Sequence, residues 1–370
     1  MAEILFVTWD GGGNVPPAAG IAQELRRRGH AVRFLGHQTQ AERFAQDGLA
    51  FAPYRTARPF TSRRPSSTST LLGVFGDRPM GRDVLAELAT RPADLVVVDC
   101  LLFGVMDALR RAGRSYVVLE HTFDGHLRRA AKGPLGMVLR LRGFAALALI
   151  DAGTPVLAAT LAELDHGHGA VEHTGPVLDL PEHRDHAAAA PAVLVSLSTF
   201  AFRSLAPTWQ RVLDAIGDVP VRVVATTGPA VDPATLRVPT NVELHRWLPH
   251  REVLPQVSLV VGHGGHATTM VALAHDLPLV VIPVDSKTDQ PFVGRAVEAA
   301  GAGRALSRRA SAARIRAAVE ELLADGPHRD AAARLGAAIR AMPGAVNAAE
   351  RIEDVLRDGA KEPGRPAARP

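Results

Sequence analysis

The sequence predicts an α/β protein built from two doubly wound domains facing across a cleft. Three observations carry this prediction. Short β-branched runs, apolar on both faces, alternate with helical stretches, which is the pattern of a parallel sheet covered on both sides. The same rhythm starts afresh past residue 190. The length, 370 residues, exceeds the size at which one hydrophobic core usually stops growing. Each half is therefore expected to be a Rossmann-like domain.

The first set of strands is read in "EILFVTW", "HAVRFLGH", "LAFAPY", "DLVVVDC", "SYVVLEH" and "TPVLAAT", with helices such as "PAAGIAQELRRRG" between them. The second is read in "AVLVSLST", "PVRVVATTG", "NVELHRWL", "SLVVGHGG", "LPLVVIP" and "AGRALS". Between the sets lies "DLPEHRDHAAAA", polar and then Ala-rich with no strand period, which marks a linker. The expected organisation is an amino-terminal domain over 1–178, a linker over 179–190 and a carboxy-terminal domain over 191–342. A helix over 343–358 and a disordered tail over 359–370 follow. Residues 55–80 are rich in Ser, Thr, Pro and Arg, show no helical or strand period, and are expected to be a long functional loop.

Composition narrows the function classes. A single cysteine, Cys100, leaves no partner for an intrachain disulfide, and no Cys/His cluster has zinc-ligand spacing. The first residues carry an early acid and no basic region, so the chain is expected to be cytoplasmic, without a signal peptide or membrane insertion. The net charge is +4, supplied almost wholly by arginine, yet no basic run is interleaved with stacking aromatics, and nucleic acid is not an expected partner.

Two turns remain as ligand sites. The first, "WDGGGNVPP", joins a strand to a helix, but Gly11-x-Gly13-x-x-Pro16 lacks the third glycine of a dinucleotide fingerprint. The next strand also ends at Gly36-His37 without a ribose-binding acid, so NAD is not expected there. Asn14 has a plain alternative role as a helix N-cap ahead of Pro16 and Pro17. The second turn, in "SLVVGHGGHATTMVALAHDLPLVVIPVDSKTDQ", is the stronger signal. Its strand delivers His263, Gly264 and Gly265 allow close approach, and Thr268 with the free N–H groups of the next helix can face a diphosphate. Asp289 and Gln290 follow the next strand at the same sheet edge, where they can hydrogen-bond sugar hydroxyls.

Taken with "GGGNVPPAAGIAQELRRRGHAV", "ADLVVVDC", "HTGPV", "VSLST" and "NVELHRWLPHREVLPQ", these blocks resemble the GT-B glycosyltransferases that use nucleotide sugars, especially the bacterial enzymes that decorate natural products. The resemblance implies a donor site in the second domain. Trp247 would stack on the pyrimidine base, His263 and Thr268 with Gly264 and Gly265 would meet the diphosphate, and Asp289 and Gln290 would hold the sugar. Ser198, Thr199 and His250 complete the implied donor set, and Gly12, Gly13, Asn14 and Phe123 the acceptor side. It implies no cofactor beyond the nucleotide sugar as co-substrate, no metal, and a monomer or homodimer.

Four positions depart from the family pattern. His250 stands where a Gln is usual and Ser198 where a Gly is usual. Val271 replaces a glutamate that holds ribose hydroxyls, which favours a thymidine diphosphate deoxysugar, because no buried hydroxyl is then left unpaired. Asn14 occupies the place of the histidine general base, and an amide takes no proton. Three explanations stand: another base, either Asp99 or His121; an acceptor reactive enough to need none; or a fold kept without catalysis, as a helper. Asp99 is equally readable as a strand-end acid and His121 as a turn histidine. The expected reaction is an inverting, metal-independent transfer to a small acceptor, with a helper protein or a sugar-nucleotide epimerase as alternatives. The acceptor is expected to meet 55–80 and the segment "HTFDGHLRRAAKGPLGMVLRLRGFAAL", which is also readable as a plain amphipathic surface helix.

Overall fold

The computed structural model describes residues 1–166, 169–179, 191–198, 200–202 and 204–361. Seven parallel strands make the first sheet: β1 (Glu3–Val7), β2 (Ala31–Gly36), β3 (Ala50–Pro53), β4 (Leu95–Asp99), β5 (Val117–Glu120), β6 (Val156–Ala158) and β7 (Val171–His173). Their order is β3-β2-β1-β4-β5-β6-β7. Six parallel strands make the second: β8 (Ala192–Ser196), β9 (Arg222–Thr226), β10 (Val242–His245), β11 (Leu259–Gly262), β12 (Leu279–Val281) and β13 (Gly303–Ala305). Their order is β10-β9-β8-β11-β12-β13.

The strands form where the β-branched runs predicted them because each is buried on both faces. In β1, Leu5 and Val7 enter one core cluster while Ile4 and Phe6 enter the other, across the sheet. In β8, Leu194 points one way and Val193 and Val195 the other. In both sheets the strand order reverses beside the first strand, between β1 and β4 and between β8 and β11. A crevice opens at the carboxyl ends at such a reversal. It puts the turn after β1 beside the end of β4, and the turn after β11 beside the end of β8.

Three expectations are corrected. Residues 55–80 are not loop throughout: a helix spans Thr68–Phe75, with Ser67 Oγ accepting from Thr70 N at 3.1 Å as its N-cap, and another begins at Arg78. The strand β7, within "VEHTGPV", is not among the strands that the sequence predicts. The last helix runs Gly344–Lys361, three residues into the segment read as a tail, whose remainder lies outside the described residues, as does 180–190 of the linker. That helix returns to the first domain. Ala348, Ala349 and Ile352 are buried with Ile4 and Ile21, and Glu353 bonds both Arg28 (2.9 Å) and His30 (3.1 Å). No helix among the described residues is long and apolar enough to cross a membrane.

Candidate active site

The turn after β1 is shaped by its glycines. Gly12 has φ +81°, and a Cβ on Gly11 would lie 2.6 Å from the Trp9 ring and 2.8 Å from Asn14 Oδ1. Gly13 has nothing within 4 Å of its Cβ position, so the turn is open above it. Asn14 sits at the N-cap position of the helix Val15–Arg27, but its side chain makes no cap bond. It turns inward, only 2% exposed, and its Nδ2 donates to Asp99 Oδ2 (2.8 Å), Trp9 O (3.1 Å) and Thr8 Oγ1 (3.2 Å). In this geometry Asn14 holds Asp99 and is shut off from the cleft.

Asp99, at the end of β4, is gripped from three directions. Besides Asn14, Leu101 N donates to its Oδ1 at 3.0 Å, and His121 Nδ1 lies 3.3 Å from Oδ2. Burial pushes the carboxyl up, but the imidazole and the hydrogen bonds outweigh it and hold Asp99 below its ordinary value. For His121, burial lowers the ring and Asp99 raises it, and the net direction is up. Cys100 Sγ lies 3.6 Å from the same Nδ1, so Asp99, Cys100 and His121 offer three metal-ligating atoms within 4.8 Å of one another. The thiol is fully buried and, chiefly for that reason, well above its ordinary pKa, which makes it a poor thiolate ligand.

One residue on, the chain crosses to the second domain. Thr122 Oγ1 donates to Asp289 Oδ2 at 2.7 Å. Phe123 is fully buried, edge-on to His266 (centroids 5.2 Å apart) and tilted against Phe292, so it packs the domain junction and lines no open acceptor surface. His266 Nε2 meets Thr160 Oγ1 at 2.8 Å, and Ala201 N donates to Ser62 O across the cleft at 3.4 Å.

On the donor side, His263 directly follows β11, and Gly264 comes next at φ +84°. A Cβ there would lie 2.7 Å from Gln290 O. The helix His266–Ala274 starts at Gly265 with no side chain capping it, so its first N–H groups face the crevice. His263 Nε2 lies over Gly265, 2.5 Å from where a Cβ would stand, while its buried Nδ1 has no partner. Burial pulls His263 down to about 4, with Asp289 opposing, so the ring is neutral at neutral pH. Thr268 is half-buried on the first turn, and Trp247 is 70% exposed.

Four other predicted donor positions are occupied or undescribed. Gln290 is 3% exposed and its Oε1 accepts from Val284 N (2.8 Å) and Asp285 N (3.0 Å), bracing the loop after β12. His250 Nε2 lies 3.1 Å from Ser196 Oγ, and burial lowers its pKa. Ser198 Oγ accepts from Phe200 N at 2.9 Å. Thr199 lies outside the described residues. Sequence reading missed Thr122, Thr160 and His266, although Thr122 follows His121 in "LEHTF" and His266 closes "GHGGH". A cavity of about 1750 Å³ opens at the other end of the first sheet, among Asp94, Ser115 and Pro155 at the amino ends of strands, away from this crevice.

A profile described as "Erythromycin biosynthesis protein CIII-like, C-terminal domain" matches residues 210–355. The 4'-demethylrebeccamycin synthase of Lentzea aerocolonigenes is 27% identical, covering 96% of this chain and all of that one. The demethyllactenocin mycarosyltransferase of Streptomyces fradiae is 26% identical over 97% of this chain and 88% of its own. This chain is a GT-B glycosyltransferase. The solved structure of the glycosyltransferase VinC in complex with DTDP superposes on the enzyme with a TM-score of 0.72 at 19% identity, covering 97% of this chain and all of that one. The enzyme is of the natural-product type and takes its sugar from a nucleotide donor.

Proposed function

We propose that the enzyme transfers a deoxysugar from thymidine diphosphate to a small natural-product acceptor, with inversion and without a metal. The observation that carries this reading is the uncapped start of the helix His266–Ala274, at the carboxyl end of β11, with His263 beside it and Asp289 facing it from the next turn. A diphosphate there meets free N–H groups at the positive end of a helix, which takes over the role a cation would play for the departing charge. Trp247 offers an exposed indole face to the base. Half-buried Val271 presents no acceptor to a ribose 2′-hydroxyl, so a deoxyribose leaves nothing unpaired.

The placement of the two sides supports inversion. Asp99 and His121 belong to the first domain and the diphosphate-facing turn to the second, joined through Thr122 and Asp289. An acceptor lying against the first domain reaches the anomeric carbon from the face opposite the leaving group. Holding both substrates in this line supplies much of the acceleration. The full-length relatives do not favour a silent helper or an epimerase.

Thermal-shift titration with thymidine and uridine diphosphates tests the donor reading. A ligand that binds only the native state raises its stability according to affinity. Thymidine diphosphate is expected to stabilise the enzyme more than uridine diphosphate, and no shift with either would remove the reading. Proton NMR of the product reads inversion directly, and EDTA-treated enzyme is expected to keep full activity.

A further inference from the structure

We propose that His121 is the general base, with Asp99 and Asn14 as its positioning residues, so that the catalytic dyad enters from the β5 turn and not from the β1 turn. The inference rests on the donor-and-acceptor placement proposed above. Asp99 Oδ2 is the shared hub: it accepts from Asn14 Nδ2 at 2.8 Å and faces His121 Nδ1 at 3.3 Å. With Leu101 N on the other oxygen, the carboxylate cannot rotate away. It therefore fixes one imidazole tautomer, proton on Nδ1 and lone pair on Nε2.

Among the described residues Nε2 has no partner, and the side chain is 16% exposed. Asn14, at 2% exposure, offers no basic atom and no access. Asp99 is almost as enclosed, at 7%, with both oxygens bonded. Of these three residues only His121 combines an unpartnered basic ring nitrogen, an anionic partner and exposed surface. The adjacent Thr122 bonds Asp289, so the base stands one residue from the contact that joins the donor side.

In the reaction, Nε2 takes the proton of the acceptor X–H as X bonds to the anomeric carbon. The bond from that carbon to the diphosphate oxygen breaks, and the nucleoside diphosphate leaves with the electron pair. The imidazolium is stabilised by Asp99 and returns its proton to solvent. The groups facing His121 are Asp99 at the end of β4, the buried, protonated Cys100 that follows it, and Asp289 and the neutral His266 from the second domain. The two carboxylates favour the charged ring, so transfer rises with pH through a value above the ordinary one for histidine.

The test uses full-length His121→Gln and Asp99→Asn with thymidine diphosphate glucose as donor and a series of para-substituted phenols as acceptors. General-base assistance is worth about 10²–10⁴-fold. His121→Gln is expected to lose that factor toward 4-methylphenol but far less toward 4-nitrophenol, which is largely ionised already. Asp99→Asn is expected to lower kcat and move the rising limb to lower pH. Both variants are expected to keep the thymidine diphosphate thermal shift, which also shows that they fold. Transfer to 4-methylphenol by His121→Gln within about threefold of native overturns the assignment. So does an equal loss across the phenol series. Failure of native enzyme to bind thymidine diphosphate strikes the donor reading instead.

Discussion

Asn14 Nδ2 donates to Asp99 Oδ2 at 2.8 Å, linking the glycine turn after β1 to the end of β4 at the point where the sheet order reverses. The bond is buried at both ends, and Asp99 is held below its ordinary pKa in part by it. Asn14→Ala removes one of the groups that compensate a buried carboxylate. The expected cost is about 1–3 kcal/mol in urea unfolding, with kcat lowered and the donor KM unchanged. Unchanged stability and rate would show that the carboxylate does not depend on this amide.

His263 is neutral in the free enzyme because burial pulls it down to about 4. A bound diphosphate supplies negative charge beside it and favours the protonated ring. Donor binding is therefore expected to take up protons, increasingly as pH falls from 8 to 6. Calorimetry in buffers of different ionisation enthalpy measures this uptake. The free protein shows the converse sign. Its unfolded chain protonates this ring near 6.5 while the native state resists until about 4. Stability is thus lost as pH falls through that window, and His263→Gln should flatten the decline.

Glu120 ends β5 fully buried, with no partner for either carboxyl oxygen among the described residues. Burial, reinforced by Asp124 and Asp165, pushes its pKa well above the usual carboxylate range. The native state keeps this proton where the unfolded chain has lost it, so the group costs stability as pH rises above about 4.5. Glu120→Gln is expected to gain stability relative to native enzyme as pH is raised from 5 to 8, by up to about 1.4 kcal/mol per pH unit. A pH-independent difference would mean the carboxyl is ionised in the fold.

Two glycines separate backbone need from ligand room. Gly264→Ala combines φ +84° with a Cβ 2.7 Å from Gln290 O, so it should destabilise the donor turn by more than about 1 kcal/mol and abolish the thymidine diphosphate shift. Gly13→Ala meets nothing within 4 Å and should fold normally, yet its methyl projects above the acceptor turn. There the expected change is a raised acceptor KM with donor affinity intact, read from steady-state kinetics.

Every strand but the half-buried edge strand β7, and with them the two-sheet architecture, was legible because double-sided burial imposes unbroken apolar runs, as in "LVVVD" of β4. The turn after β11 was legible because its histidine and glycines are contiguous. The domain junction was not. Thr122 meets Asp289 across 167 residues and His266 meets Thr160 across 106, and no local pattern encodes those separations. Position after β12 and the family resemblance make Gln290 a sugar contact, and the resemblance puts Phe123 on the acceptor side, whereas the fold uses one to brace backbone N–H groups and the other to fill the junction. Asn14 was read as facing the acceptor, and only the three-dimensional placement of Asp99 shows where its amide points.

The most direct measurement is a crystal structure of the enzyme with thymidine diphosphate. Phosphate density is expected against the backbone N–H groups of His266, Ala267 and Thr268, within reach of His263, with the base on Trp247. Density beside Gly12 and Gly13 instead, with the turn after β11 empty, would contradict it.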